Sequence, residues 1–121
     1  IENAEELSEF AGKIGLASDV LKIENVKDTA KNYDIIVNAT SVGLKNEQSI
    51  ISLDGINEKT IVYDIVYMPM NTDFIKKAKE NNAIVIYGYE MLLGQATRAF
   101  EIWHNMEAPY NAMKKALLGG F

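Results

Sequence analysis

Three short apolar runs, Asp34 to Asn38, Thr60 to Asp64 and Ala83 to Ile86, are each followed by small or polar residues. They are too short for buried helices, and their β-branched content favours strands. Helical and loop patterning fills the stretches between them. Strands alternating with helices predict an α/β chain built on a parallel sheet. In such a sheet the carboxyl ends of the strands share one edge, and ligands bind there. The segments leaving those ends are Asn38-Ala39-Thr40-Ser41-Val42-Gly43, Asp64-Ile65-Val66-Tyr67-Met68-Pro69 and Gly88-Tyr89-Glu90-Met91-Leu92-Leu93-Gly94-Gln95. Three loops on one edge point to one site.

The remaining pattern fills in the elements around that sheet. Asn3 to Ile14 reads as a helix capped by Asn3 with Glu6 three residues on, and with Ala4, Leu7, Phe10, Ala11 and Ile14 on one face. Gly15 is its stop. Val20 to Ile23 reads as a weak strand, and the polar stretch Asn25 to Lys31 as a helical turn. Gly43 to Gly55 has no period and reads as loop, with a short extended piece at Ser49 to Leu53. A helix over Asn71 to Asn82 turns Phe74, Ile75 and Ala78 inward and Lys76, Lys77, Lys79 and Glu80 to water. The longest helix, Tyr89 to Asn105, has Leu92, Leu93, Ala96, Ala99, Phe100 and Trp103 as its apolar face. Pro109 suits the first turn of a last helix running to about Leu118, where Gly119 and Gly120 end it.

Composition narrows the chemistry. With 121 residues, 48% of them hydrophobic, the chain can build one small core. A net charge of −5 argues against a nucleic-acid surface, which is normally basic. There is no cysteine, hence no disulfide and no thiolate metal site. No His, Asp or Glu cluster has metal-ligand spacing, and no Ser-His-Asp set is recognisable. No G-x-G-x-x-G stands between a strand and a helix. His104, the single histidine, reads as structural, set to favour the end of its helix. No apolar run reaches membrane-spanning length, so a cytoplasmic location is expected.

Each of the three edge segments admits a plain reading and a functional one. Asn38-Ala39-Thr40-Ser41 is either an ordinary turn or a place where small residues let a flat cofactor approach and hydroxyls donate to it. Tyr67 is either a surface tyrosine or a packed ring with a free hydroxyl that fixes a small polar substrate, and the plain reading of Asp64 is a cap or a bond to a nearby loop. Met91 and Gln95, four apart, share a helix face. They are either a core methionine with a solvated glutamine, or an apolar contact for a ring beside a group that both donates to and accepts from a substrate hydroxyl.

In order, spacing and residue type, the three segments resemble the C-terminal half of the shikimate dehydrogenase family, as does the later Phe100-x-x-Trp103. The resemblance implies a truncated Rossmann-like parallel sheet with flanking helices. Residues 1–121 would form part of an NAD(P)-binding domain with C-terminal helices. It implies NADP as cofactor, lined by Asn38, Ala39, Thr40, Ser41, Ile65, Gly88 and Met91. It also implies shikimate or 3-dehydroshikimate as the substrate met by Tyr67 and Gln95. Glu90 stands where some relatives have glycine, and is expected to face solvent. The implied reaction is reversible reduction of 3-dehydroshikimate by NADPH. Quinate or aminoshikimate dehydrogenase, and a non-catalytic binding module on the same half-fold, remain the alternatives. No catalytic residue is assigned, because the family's lysine–aspartate pair and its glycine-rich phosphate loop match nothing in these residues.

Two expectations follow from that resemblance. The chain starts at Ile1, inside a helical pattern, so its start reads as a cut, and the chain alone is expected to be inactive. The sheet is expected to have a bare apolar edge beside Ile35 to Val37. Leu7, Phe10 and Ile14 are expected to be exposed on the first helix, so that the chain self-associates or rearranges.

Overall fold

A computed structural model of the chain describes residues 2–26 and 29–119. Helix α1, Glu2–Lys13, is followed by 3-10 turns at Ile23–Asn25 and Ala30–Asn32 and by strand β1, Ile35–Asn38. Then come β2, Ile61–Asp64, helix α2, Asp73–Glu80, strand β3, Ile84–Ile86, helix α3, Gly88–His104, and helix α4, Tyr110–Gly119. The strands form one parallel sheet in the order β1-β2-β3. Ile35 pairs with Ile61 and Asn38 with Asp64, and Ile61 pairs in turn with Ile84. All three strands therefore end on the same edge.

Side chains alternate across a strand, and that alternation divides this sheet sharply. The row Ile36, Val62, Val85 faces the core, where buried Val62 meets Phe74 and Ala78 of α2 together with Ala30, Leu53 and Ile56. Helix α2 packs on β2 and β3. It forms where it does because the Thr72 hydroxyl accepts the Ile75 N–H at 3.2 Å, an N-cap, while Asp73 supplies negative charge to the first turn. The long loop before β2 is not slack. The Ser49 N–H donates to the Asp73 carboxylate at 2.8 Å, and Leu53 and Ile56 fill the core beneath.

Several expectations need correction. β1 is apolar enough for a buried strand, yet Ile35 is 58% exposed and Val37 is open as well, at the sheet edge where a bare apolar edge was expected. Val20 to Ile23 is not a strand among the described residues. It runs unpaired into the 3-10 turn at Ile23–Asn25, and the outer side of β1 stays an edge of the sheet. Ser49 to Leu53 forms no strand either, its backbone being tied to α2 instead. Asn3 lies inside α1, which already runs from Glu2, so it does not cap that helix. Trp103 is 79% exposed rather than part of a buried face. At 17 residues, α3 is ~25 Å long, about twice the span of a four-residue strand, and its last turns outrun the sheet. Of the polar stretch read as a turn, residues 27 and 28 lie outside the described residues, as does Gly120.

The expected apolar exposure on α1 is present, with Leu7 68% exposed and Phe10 and Ile14 exposed beside it. Gly15 ends α1 at φ 80°, a left-handed backbone that favours glycine. No helix among the described residues is long and apolar enough to cross a membrane.

Candidate functional site

The carboxyl edge of the sheet is organised around the Asp64 carboxylate. Asp64 closes β2 and is fully buried. Its Oδ1 accepts the Asn38 side-chain amide at 2.9 Å and the Val66 N–H at 3.0 Å, and its Oδ2 accepts the Thr72 hydroxyl at 2.6 Å. One acidic side chain thus ties together the end of β1, the exit of β2 and the start of α2. No buried side-chain polar atom lacks a partner among the described residues, so the burial of this carboxylate is met by hydrogen bonds.

Asn38 extends the network into the first loop. Its Nδ2 also donates to the Val42 carbonyl at 3.1 Å, while its Oδ1 accepts the Thr40 N–H at 3.2 Å and the Thr40 hydroxyl at 2.7 Å. The Val42 N–H in turn donates to the Thr40 hydroxyl oxygen at 3.1 Å. Every hydrogen-bonding position of the Asn38 amide is used within the chain. The Thr40 hydroxyl proton is committed as well. These two groups build the turn, and Ala39 and Ser41 are exposed on it. Gly43 has φ 109°, and a Cβ there would lie 2.9 Å from the Thr72 methyl, so the loop closes directly onto the α2 cap.

The third segment packs against the second. A Cβ on Gly88 would lie 2.6 Å from the Ile65 carbonyl oxygen and 2.7 Å from the Val66 carbonyl. Glycine is therefore required at the first residue of α3 by the backbone leaving β2. The Tyr87 N–H donates to the Glu90 carboxylate at 3.2 Å, which draws Glu90 back onto the helix start and leaves it exposed, as expected. Tyr87 and Tyr89 stack at 5.7 Å, and the Lys79 ammonium lies 5.1 Å over the Tyr87 ring. Burial pushes the Tyr63 hydroxyl above its ordinary pKa, and the nearby Glu90 charge adds to this.

Tyr67 leaves the β2 end 44% exposed, and Met91, in the first turn of α3, is 45% exposed. Ile65, two residues before Tyr67, is half-buried. Gln95 lies two turns into α3, ~10 Å along the axis from Gly88, and is exposed. The structure brings Asn38, Thr40, Asp64, Val66 and Thr72 into one hydrogen-bonded unit and seats Gly88 on Ile65 and Val66. Among the described residues no side-chain hydrogen bond joins Tyr67 and Gln95. A small cavity of about 130 Å³ lies nearby, lined by Val37, Asn38, Thr40, Val42, Ile51 and Phe74 among others. It does not reach Ile65, Tyr67, Gly88, Met91 or Gln95. At its rim the Glu47 carboxylate accepts the N–H groups of Lys45 and Gly43, which hold it below the usual carboxylate range. His104 closes α3 against the Phe100 ring at 4.4 Å, away from this edge.

Sequence reasoning left Asp64 with only a generic role and passed over Thr72. Both carried a signal. A lone acid ending an apolar strand needs partners, and a threonine three residues before the buried Ile75 is a helix N-cap pattern.

Comparison with known proteins agrees with this architecture. Residues 88–118 match the family described as "Shikimate 5'-dehydrogenase C-terminal domain". The chain is 71% identical over 121 residues to the shikimate dehydrogenase (NADP(+)) of Nitrosopumilus maritimus, covering all of this chain and 44% of that protein. Among solved structures it resembles a shikimate dehydrogenase in complex with NADP+ (TM-score 0.85, 30% identity, 99% of this chain and 44% of that one). It also resembles the Listeria monocytogenes shikimate 5-dehydrogenase in complex with shikimate and NAD (TM-score 0.82, 29% identity, 96% of this chain and 43% of that one). The chain thus spans less than half the length of the relatives it matches. In sequence and in fold, a Rossmann-like α/β unit, it belongs to the shikimate dehydrogenase family and matches the C-terminal part of its members.

Proposed function

We propose that residues 1–121 form the nicotinamide side of an NADP-binding domain in an enzyme that interconverts 3-dehydroshikimate and shikimate. The 71% identity to a shikimate dehydrogenase (NADP(+)), sustained along the whole chain, carries this reading. The carboxyl edge suits a planar ring. Met91 and Ala39 are exposed there and Ile65 is half-buried, so a flat apolar face has side chains to cover. Asn38, Ala39, Thr40, Ser41, Ile65, Gly88 and Met91 shape that cleft. Asn38 and Gly88 do so through the backbone they set, since the Asn38 amide and the space above Gly88 are already taken. NADPH, when bound, supplies the hydride.

Tyr67 and Gln95 orient the substrate, the tyrosine through its hydroxyl and the glutamine through an amide that donates and accepts. No residue of this chain is given a proton-transfer role. The same reading makes the enzyme cytoplasmic and the isolated chain inactive. The isolated chain would also self-associate through its open sheet face and the β1 edge. Gln95→Ala in the full-length protein that carries this sequence should lower kcat/KM for shikimate roughly threefold to tenfold, the worth of one hydrogen bond. NADP affinity should hold. Loss of NADP affinity with unchanged substrate kinetics would overturn the assignment.

A further inference from the structure

The two halves of the candidate site are joined by a group to which no role in the site was assigned. The cofactor-side turn hangs on Asn38, whose amide donates to Asp64 Oδ1 at 2.9 Å. The substrate-side segment begins with Val66, whose N–H donates to the same oxygen at 3.0 Å. The other carboxylate oxygen accepts the Thr72 hydroxyl, whose methyl group packs where a Gly43 side chain would be. A single buried oxygen shared by both segments fixes their separation. Neither can shift without lengthening a hydrogen bond that no water replaces cheaply.

We propose that Asp64 is a positioning residue, whose buried carboxylate sets the placement of the Thr40 turn relative to Tyr67. It touches neither cofactor nor substrate and acts through Asn38, Val66 and Thr72. This rests on the shikimate dehydrogenase reading above. The distinction from a merely structural acid is specific. A structural acid holds the fold together, and its loss lowers stability alone. A positioning acid also changes how well an already bound substrate is oriented, and it does so through Tyr67.

In the full-length protein, Asp64→Asn keeps the shape but turns one acceptor into a donor. It should lower kcat/KM for shikimate about tenfold, as expected for losing a hydrogen bond to a charged group. In a Tyr67→Phe background the same change should cost less than about twofold, because both act through one hydroxyl. Leu53→Ala, which destabilises from outside the network, should leave kcat and KM as they are. If Asp64→Asn does not fold, Thr72→Val removes the Oδ2 partner, together with the cap on Ile75, and should reproduce the loss, while Thr72→Ser keeps both bonds and should restore activity. Full multiplication of the Asp64 and Tyr67 effects would overturn the proposal, as would equal activity for Thr72→Val and Thr72→Ser. If the unaltered protein does not turn over shikimate, the functional reading fails, and amide hydrogen exchange then decides the network. Asp64→Asn or Thr72→Val should speed exchange over residues 39–43 and 65–68 together. Loosening of one segment without the other, or of neither, would overturn the proposal.

Discussion

The two faces of the sheet have nearly the same composition and opposite fates. On one, Ile36, Val62 and Val85 meet α2 and the loop that carries Leu53 and Ile56, and Val62 is completely buried. On the other, Ile35, Ile61 and Ile84 form an equally apolar row, yet Ile35 and Ile84 are both more than half exposed. Apolar patterning marks a face as suited to burial. What covers it is a separate matter, decided by which elements pack there. The covered face is also the ordered one chemically: Asn38 and Asp64 fall on it and organise the strand ends, whereas the open face carries no such network among the described residues.

The largest effect that would break this contrast concerns paired aliphatic deletions. Leu53→Ala should lose about 2–5 kcal/mol of stability, as for other fully buried leucines. Ile35→Ala should lose less than about 1 kcal/mol, the scale of surface changes with some strand propensity. Chemical denaturation of both variants measures this. Ile35→Lys should reduce self-association in light scattering. Equal losses for the two alanine variants would mean that the face now open is covered.

A smaller effect sharpens the account of the edge. Gly88→Ala drives a Cβ into the Ile65 carbonyl oxygen and should cost about 1–3 kcal/mol. Gly94→Ala, in the same helix with nothing within 4 Å of the added atom, should stabilise by about 0.5–1 kcal/mol. Thermal melts of both variants would show the opposite signs. Gly88→Ala leaving stability unchanged would mean that α3 does not seat on the β2 exit.

The smallest expected effect is a pH dependence on the covered side. The Lys77 ammonium at 2.8 Å, with the Ser49 N–H, holds the Asp73 carboxyl below its ordinary pKa. A carboxyl lowered in the folded state adds stability that is present above its unfolded pKa and is lost as pH falls through the folded one. Asp73→Asn should therefore lower Tm modestly at neutral pH. The gap should close as the pH drops below about 4. A gap that persists or widens in acid would contradict this.

Much of the fold was legible because it rests on local signals. Short β-branched runs gave all three strands, and the amphipathic spacing of Phe74, Ile75 and Ala78 gave α2 its inward face. What failed depended on packing partners. Ile35 and Val37 are suited to burial yet open, and Val20 to Ile23 reads as a strand yet is none, because residue type records suitability for burial or pairing but not the presence of a neighbour. Trp103 failed for a related reason: helical periodicity extends along α3 beyond the sheet that could cover it. At the candidate site, residue types placed Thr40, Tyr67 and Gly88 at the carboxyl edge of the sheet, where they are found. They did not reveal that the Asn38 amide and the Thr40 hydroxyl are used internally, nor that Gly88 answers to the Ile65 backbone. Those are facts of tertiary geometry.

The claim that this edge is the meeting place of cofactor and substrate is tested most directly by a crystal structure of the full-length protein with NADP+ and shikimate bound. The nicotinamide ring is expected against Ile65, Gly88 and Met91, with shikimate oxygens within about 3 Å of the Tyr67 hydroxyl and the Gln95 amide. A ring bound elsewhere, such as in the cavity between Val37 and Phe74, or a substrate that meets neither Tyr67 nor Gln95, would contradict it.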